Sequence, residues 1–183
     1  YIKPLAVVDA ILAKRNTGTH RDMAPITIGV GPGFNAGIDV DAVIETCRGH
    51  NLGRVIYKGS AEADTGIPGS IMGYSSERVL RAPADGIISN VHDIGDMVKQ
   101  GEVVAYVSDI PVVSRIDGVI RGLIADRTEV RKGLKIGDVD PRGIREYCFT
   151  ISDKSRAVAG GVLEAVLALR LKMCNNGELG DGQ

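Results

Sequence analysis

A carboxylate, a thiol, a guanidinium and an imidazole fall within six residues in Glu45-Thr46-Cys47-Arg48-Gly49-His50. Arg48 can bind an anion through its planar fork. His50 can donate or accept a proton near neutral pH. A neighbouring cation would lower the Cys47 pKa and favour thiolate, so Cys47 as nucleophile with His50 as base is one candidate chemistry. Cys-x-x-His is thin support for a metal, since further ligands would have to come from His20, His92 or carboxylates, and no metal is assigned. A structural loop is the bland reading of the same residues.

Two other segments could meet an anion. Gly31-Pro32-Gly33-Phe34-Asn35-Ala36-Gly37 follows a strand-like run. Backbone N–H groups of glycines can converge there without side-chain obstruction, as a nest for phosphate, with Asn35 as an added donor. The permissive dinucleotide pattern G-x-G-x-x-A is also satisfied. Against it stand Pro32 inside the turn, too few residues for a crossover helix, and no carboxylate placed for ribose. A tight turn needing positive φ is the alternative. Lys14 and Arg15 lead into Asn16-Thr17-Gly18-Thr19, a plausible phosphate contact or simply solvated loop charge. If the three loops sit at the same strand ends, Lys14, Arg15, Gly31, Gly33, Asn35, Arg48 and His50 form one basic, glycine-lined pocket, the usual ligand location in open α/β sheets.

The chain contains no Gly-x-Ser-x-Gly elbow, Walker loop or His-Glu-x-x-His helix. A net charge of −1 without a basic stripe makes neither nucleic acid nor an acidic membrane surface an expected partner. Aromatics at 4% with no Trp argue against the stacking platforms of single-strand binders. No apolar run approaches the roughly 20 residues that span a bilayer. Three widely spaced cysteines fit a reduced, cytoplasmic compartment better than a disulfide framework.

The elements that must hold these residues are readable in outline. Residues 5–12 and 25–30 read as strands, the first so apolar that it needs partners on both sides. With the abrupt start at Tyr1, this suggests that earlier strands precede the given sequence. Residues 41–46 and 54–58 read as a strand pair, 59–76 as an extended linker or mobile loop, and 147–151 as a last strand. Residues 152–173 form the best helix, capped by Ser152 or Asp153. Gly160 and Gly161 weaken it unless close packing on a sheet compensates. Residues 175–183 are expected to be disordered.

Between these parts lies a repeat. Asp85-Gly86-Ile87-Ile88 with Val98-Lys99-Gln100-Gly101 recurs 32 positions later as Asp117-Gly118-Val119-Ile120 with Val130-Arg131-Lys132-Gly133. Two interlocked four-strand units of this kind make the all-β barrel-sandwich hybrid of biotinyl and lipoyl carrier domains. Residues 102–116, where such a domain would present its lysine, contain none. A swinging arm is therefore rejected, and biotin and lipoate with it. The expected fold class is α/β: an α/β portion at 1–78, a lysine-free sandwich at 79–142, and a strand and C-terminal helix at 143–183 packing back on the first portion.

The runs VDAILAKRNTGT, TIGVGPGFNAGIDVDAVIET, RGHNLGRVI, RAPADGII, GVIRGLI, GLKIGDVDPRG and ISDKSRAVAGGVLEA, across residues 5–168, resemble the YqeB-type accessory proteins of selenium-dependent molybdenum hydroxylase systems. These are distantly akin to XdhC-type chaperones. The resemblance implies a cytoplasmic accessory protein that helps mature or supply a molybdenum hydroxylase, its client, and leaves open whether the step is enzymatic. It also implies an earlier glycine-rich Rossmann-like segment that this chain lacks. The leading expectation is binding of a phosphorylated cofactor such as molybdopterin. The alternatives are a sulfur- or selenium-transfer enzyme using Cys47, and a non-catalytic interaction scaffold. Self-association is left open.

Overall fold

The computed structural model describes residues 2–66 and 68–177. It is of α/β class, with mixed sheets and one C-terminal helix. Two compact units emerge: Tyr1–Thr65 with Ser152–Gln183, and Gly66–Ile151.

In the first unit, β1 (Ala6–Asp9), β2 (Ile26–Val30), β3 (Ala42–Ile44) and β4 (Val55–Ile56) form a sheet in that order. The first three are parallel and β4 is antiparallel to β3. Every residue of β2 is buried, as a central parallel strand requires. Helix α1 (Asp153–Asn175) covers one face through Val158, Val162, Ala165, Val166 and Leu169, which pack with Ile26, Ile28 and Ile44. Its N-cap is Ser152, whose hydroxyl accepts from the Ser155 N–H at 3.1 Å. The other face is covered by Phe34, Ala36, Val40 and Ala61 against Val43. Gly29 makes room for the Phe34 ring, which an added Cβ would meet at 2.4 Å.

The second unit is the repeat made solid. Its strands are β5 (Val79–Arg81), β6 (Gly86–Asn90), β7 (Met97–Val98), β8 (Val103–Val107), β9 (Ile110–Val113), β10 (Gly118–Leu123), β11 (Glu129–Val130) and β12 (Lys135–Asp140). The sheets run β5-β12-β10-β7 and β11-β6-β8-β9. Moving by 32 positions turns one into the other. Gly118 pairs with Val98, and Gly86 with Val130. Lys135 pairs with Arg81, and Val103 with Val113. Turn chemistry follows the same rule: the Asp85 carboxylate accepts the Lys132 N–H at 2.6 Å, and Asp117 that of Gln100 at 2.8 Å. Each half thus lends a strand to the other's sheet, over one core of Leu80, Ile88, Val104, Val107, Ile120 and Val139. The halves part at one bulge between Ile120 and Gly122, where Arg121 reaches the fully buried Asp140. Burial pushes the Asp140 carboxyl up, but hydrogen bonds from Arg142 and the charges of Arg142 and Arg121 outweigh it and hold it low. The tip of the β8–β9 hairpin carries Ser108 and Asp109, not a lysine.

Several expectations need correction. The first strand stops at Asp9 rather than residue 12, because the Asp9 carboxylate turns back to accept the Ile11 N–H at 3.0 Å and the Thr19 hydroxyl at 2.6 Å. Residues 147–151 form no strand: a 3-10 turn at Arg145–Cys148 satisfies these amides locally and packs against β10. Arg142 stacks on the Tyr147 ring at 4.7 Å, so 143–151 stay with the second unit instead of the helix. Within 59–76, Gly59 bridges Ala36 and the Glu62 N–H is held by Glu45, so the linker begins later than its composition suggests. α1 runs on to Asn175; of the tail expected to be disordered, residues 178–183 lie outside the described residues. No helix among the described residues is long and apolar enough to cross a membrane.

Candidate functional site

The three loops do leave the same edge of the first sheet. β1, β2 and β3 are parallel, so residues 10–15, 31–34 and 45–48 all follow carboxyl ends. Between them and the first turns of α1 lies a cleft of about 420 Å³. Its walls are Val8, Ala10 and Leu12 from the first strand and loop, Val30 and Thr46 from the next two, and Val158, Ala159 and Val162 from the helix. Two lysines line this apolar space, Lys14 from the first loop and Lys154 from the helix. The size is that of a small-ligand site, with few polar groups on mostly apolar walls.

The first loop is strained. Leu12 has φ 59° and Lys14 φ 62°, a left-handed conformation uncommon for side chains of this bulk. Such strain persists only where surrounding structure imposes it. The glycine loop imposes part of it: a Cβ at Gly33 would lie 2.6–2.8 Å from the Arg15 backbone. Gly31, at φ 84°, lies against Thr46 and Leu12 in the same way. Gly31 and Gly33 therefore bring the loops together by close backbone approach. The nest itself is largely spoken for. The Gly31 N–H donates to the Ile44 carbonyl at 2.9 Å, and the Asn35 N–H to the Asp39 carboxylate at 2.8 Å. Asn35 lies outside the cleft lining, and the exposed Arg15 contributes backbone rather than its guanidinium to the packing.

The third loop is organised by Glu45, only 3% exposed. One carboxylate oxygen accepts the Thr46 and Cys47 N–H groups, both at 2.7 Å, and the other accepts that of Glu62 at 2.8 Å. This acid is an architectural acceptor, which places Thr46 in the cleft wall. Arg48 is exposed and makes a two-pronged ion pair with Asp153 in the first turn of α1, at 2.8 and 3.1 Å. That pair ties the loop to the helix. Gly49 and His50 are exposed and outside the cleft lining. Cys47 runs against the thiolate expectation. A hydrogen bond with Glu62, then burial, then the charges of Glu62 and Glu45 push its thiol up, against the opposing charge of Lys154. Among the described residues no group of three or more His, Cys, Asp and Glu side chains could hold a metal ion.

Lys154 is the group that reading the loops alone misses. It sits in the first helical turn, where the positive end of the helix dipole disfavours a cation. Burial, then the charges of Lys14 and Arg48, pull its ammonium below the ordinary lysine range, with Cys47 and Glu45 opposing. A lysine two residues after the Ser152 cap, in a first turn where acids are the usual choice, was the available signal.

A cleft lined by Val8, Ala10, Leu12, Lys14, Val30, Thr46 and the helix residues from Lys154 to Val162 draws on three of the runs that carry the family resemblance. The likeness is to YqeB. The Escherichia coli K12 protein, named as an uncharacterized protein, is 54% identical over 168 residues, 92% of this chain. The chain spans 31% of that relative's length. No protein-family model matches the chain. Among solved structures, an aspartoacylase family protein from Mesorhizobium loti covers 46% of the chain at 15% identity and TM-score 0.33, and 27% of its own length. A succinylglutamate desuccinylase/aspartoacylase from Rhodobacter sphaeroides covers 46% at 21% identity and TM-score 0.32, and 30% of its own length. Likenesses this slight carry no functional weight.

Proposed function

We propose that this chain is the cofactor-handling part of an accessory protein of a selenium-dependent molybdenum hydroxylase, and that its cleft binds a phosphorylated cofactor such as molybdopterin. The observation that carries the reading is the pairing of an apolar cleft of about 420 Å³ with two lysines, Lys14 and Lys154, at the carboxyl ends of three parallel strands. A flat pterin suits the valine walls, and a phosphate suits the two amines. Lys14 and Lys154 would hold the phosphate as point charges, Thr46 and Ser155 supply neutral hydroxyls on the lining, and Arg48 adds to the field from its pair with Asp153. The role is binding and delivery in the cytoplasm to a molybdenum hydroxylase client, not turnover. The second unit is a biotinyl/lipoyl-like barrel-sandwich hybrid without a carrier lysine, and in this reading it is a scaffold, with no biotin or lipoate.

Native mass spectrometry of the purified chain with molybdopterin tests the cleft. The wild type should retain one cofactor per chain. Lys14→Ala with Lys154→Ala should weaken binding about 100-fold, as the loss of two charge-assisted hydrogen bonds implies. Arg48→Ala should cost less, because its fork is already engaged by Asp153. Equal affinity in the double variant would remove the cleft from the function.

A further inference from the structure

We infer that Lys154 is an imine-forming amine, and that the cleft takes a small aldehyde or ketone bearing a phosphate or carboxylate, with Lys14 holding the anion. The inference rests on the anion-binding reading of the cleft, with the anion of this ligand held by Lys14 alone and Lys154 reacting as the neutral amine, and not on the molybdopterin assignment.

An amine adds to a carbonyl only when neutral, so the site must disfavour the ammonium. Four features do so. Lys154 is half-buried on an apolar wall made by Val8, Val30, Val158 and Val162. It stands at the positive end of a 23-residue helix. The first loop faces it with Lys14 and the third with Arg48, both cations. Neither nearby acid pairs with it: Asp153 grips Arg48, and Glu45, whose charge opposes the shift, spends both oxygens on three backbone amides. Cys47, the remaining titratable neighbour, has its thiol pushed up and so brings little negative charge. Lys154 itself forms no ion pair among the described residues. Lys14 is exposed on the first loop, where its amine can meet an anion.

The step balances without an oxidant or reductant. The Lys154 Nζ lone pair bonds to the carbonyl carbon while the C=O π pair moves to oxygen. A proton passes from nitrogen to that oxygen, giving a carbinolamine whose hydroxyl the Thr46 Oγ on the cleft wall can hydrogen-bond. The nitrogen lone pair then expels the hydroxyl, which leaves as water with a proton from solvent, and C=N remains.

Pyridoxal 5′-phosphate is a probe with both groups, trapped on the whole chain by borohydride and located by peptide mapping. At pH 7 Lys154 should be labelled faster than every other lysine, because its surroundings disfavour the ammonium. Pyridoxal without the phosphate should label it far less, and inorganic phosphate should compete. Lys154→Arg keeps the charge and should lose the adduct while melting as the wild type does. Labelling spread evenly over the lysines, or concentrated on Lys14, would overturn the inference even if the arginine variant misfolds. A molybdopterin complex without a Lys154 imine would discard this inference and leave the cofactor reading standing. An imine without molybdopterin binding would do the reverse.

Discussion

Gly161→Ala should destabilise the first unit by about 3 kcal/mol or more, whereas Gly160→Ala, one residue earlier, should stabilise it by up to about 1 kcal/mol. The two differ only in what a methyl group would meet. A Cβ at Gly161 would lie 2.0 Å from the Gly53 carbonyl oxygen and 3.1 Å from Ile44, and the first of these is backbone that cannot rotate away. The contact is reciprocal, since Gly53 at φ 82° has the Ala157 carbonyl 2.4 Å from where its own Cβ would stand. Helix and loop are therefore pressed together at two glycines, and a methyl at 161 forces α1 off the sheet. Gly160 faces open space, so alanine there removes only the conformational freedom that glycine gives the unfolded chain. Denaturant titration of the two variants measures the difference. Equal stabilities would mean that α1 does not approach Gly53 as described.

Glu45→Gln should cost about 2–4 kcal/mol and loosen the cleft wall with it. The carboxylate is buried and accepts the amides of Thr46, Cys47 and Glu62. An amide side chain keeps one oxygen but turns the other position into a donor aimed at a donor. Either the two bonds that fix Thr46 and Cys47 or the one that fixes Glu62 must break, leaving buried N–H groups without partners. Hydrogen exchange should show faster exchange at those amides. A stability loss below about 0.5 kcal/mol, the range of an ordinary surface change, would show that the three bonds are dispensable.

The repeat was legible because strand pairing in an interlocked duplication is a statement about sequence offset. Identity at 85–88 and 117–120 translates into equal registers in two sheets. The C-terminal helix was legible because Ser152 supplies a cap and the apolar positions after it keep a helical period. Residues 147–151 misled because an apolar run has no strand identity without a neighbour to pair with, and Arg142 and the local amides claimed those groups first. The convergence of three loops could be expected from strand direction alone. Its chemistry could not, because hydrogen bonding decides which groups remain available. The amides of Gly31 and Asn35 were spent on Ile44 and Asp39, Glu45 on three backbone donors, and Arg48 largely on Asp153. Lys154 lies more than 100 residues from the other cations, and only folding brings it to Lys14.

The most direct measurement is backbone amide exchange of the chain with and without molybdopterin. A site at the strand ends predicts slowed exchange confined to residues 10–15, 31–34, 45–48 and 154–162, absent in the Lys14→Ala, Lys154→Ala double variant. Slowed exchange confined to residues 66–151, or unchanged exchange at saturating cofactor, would contradict it.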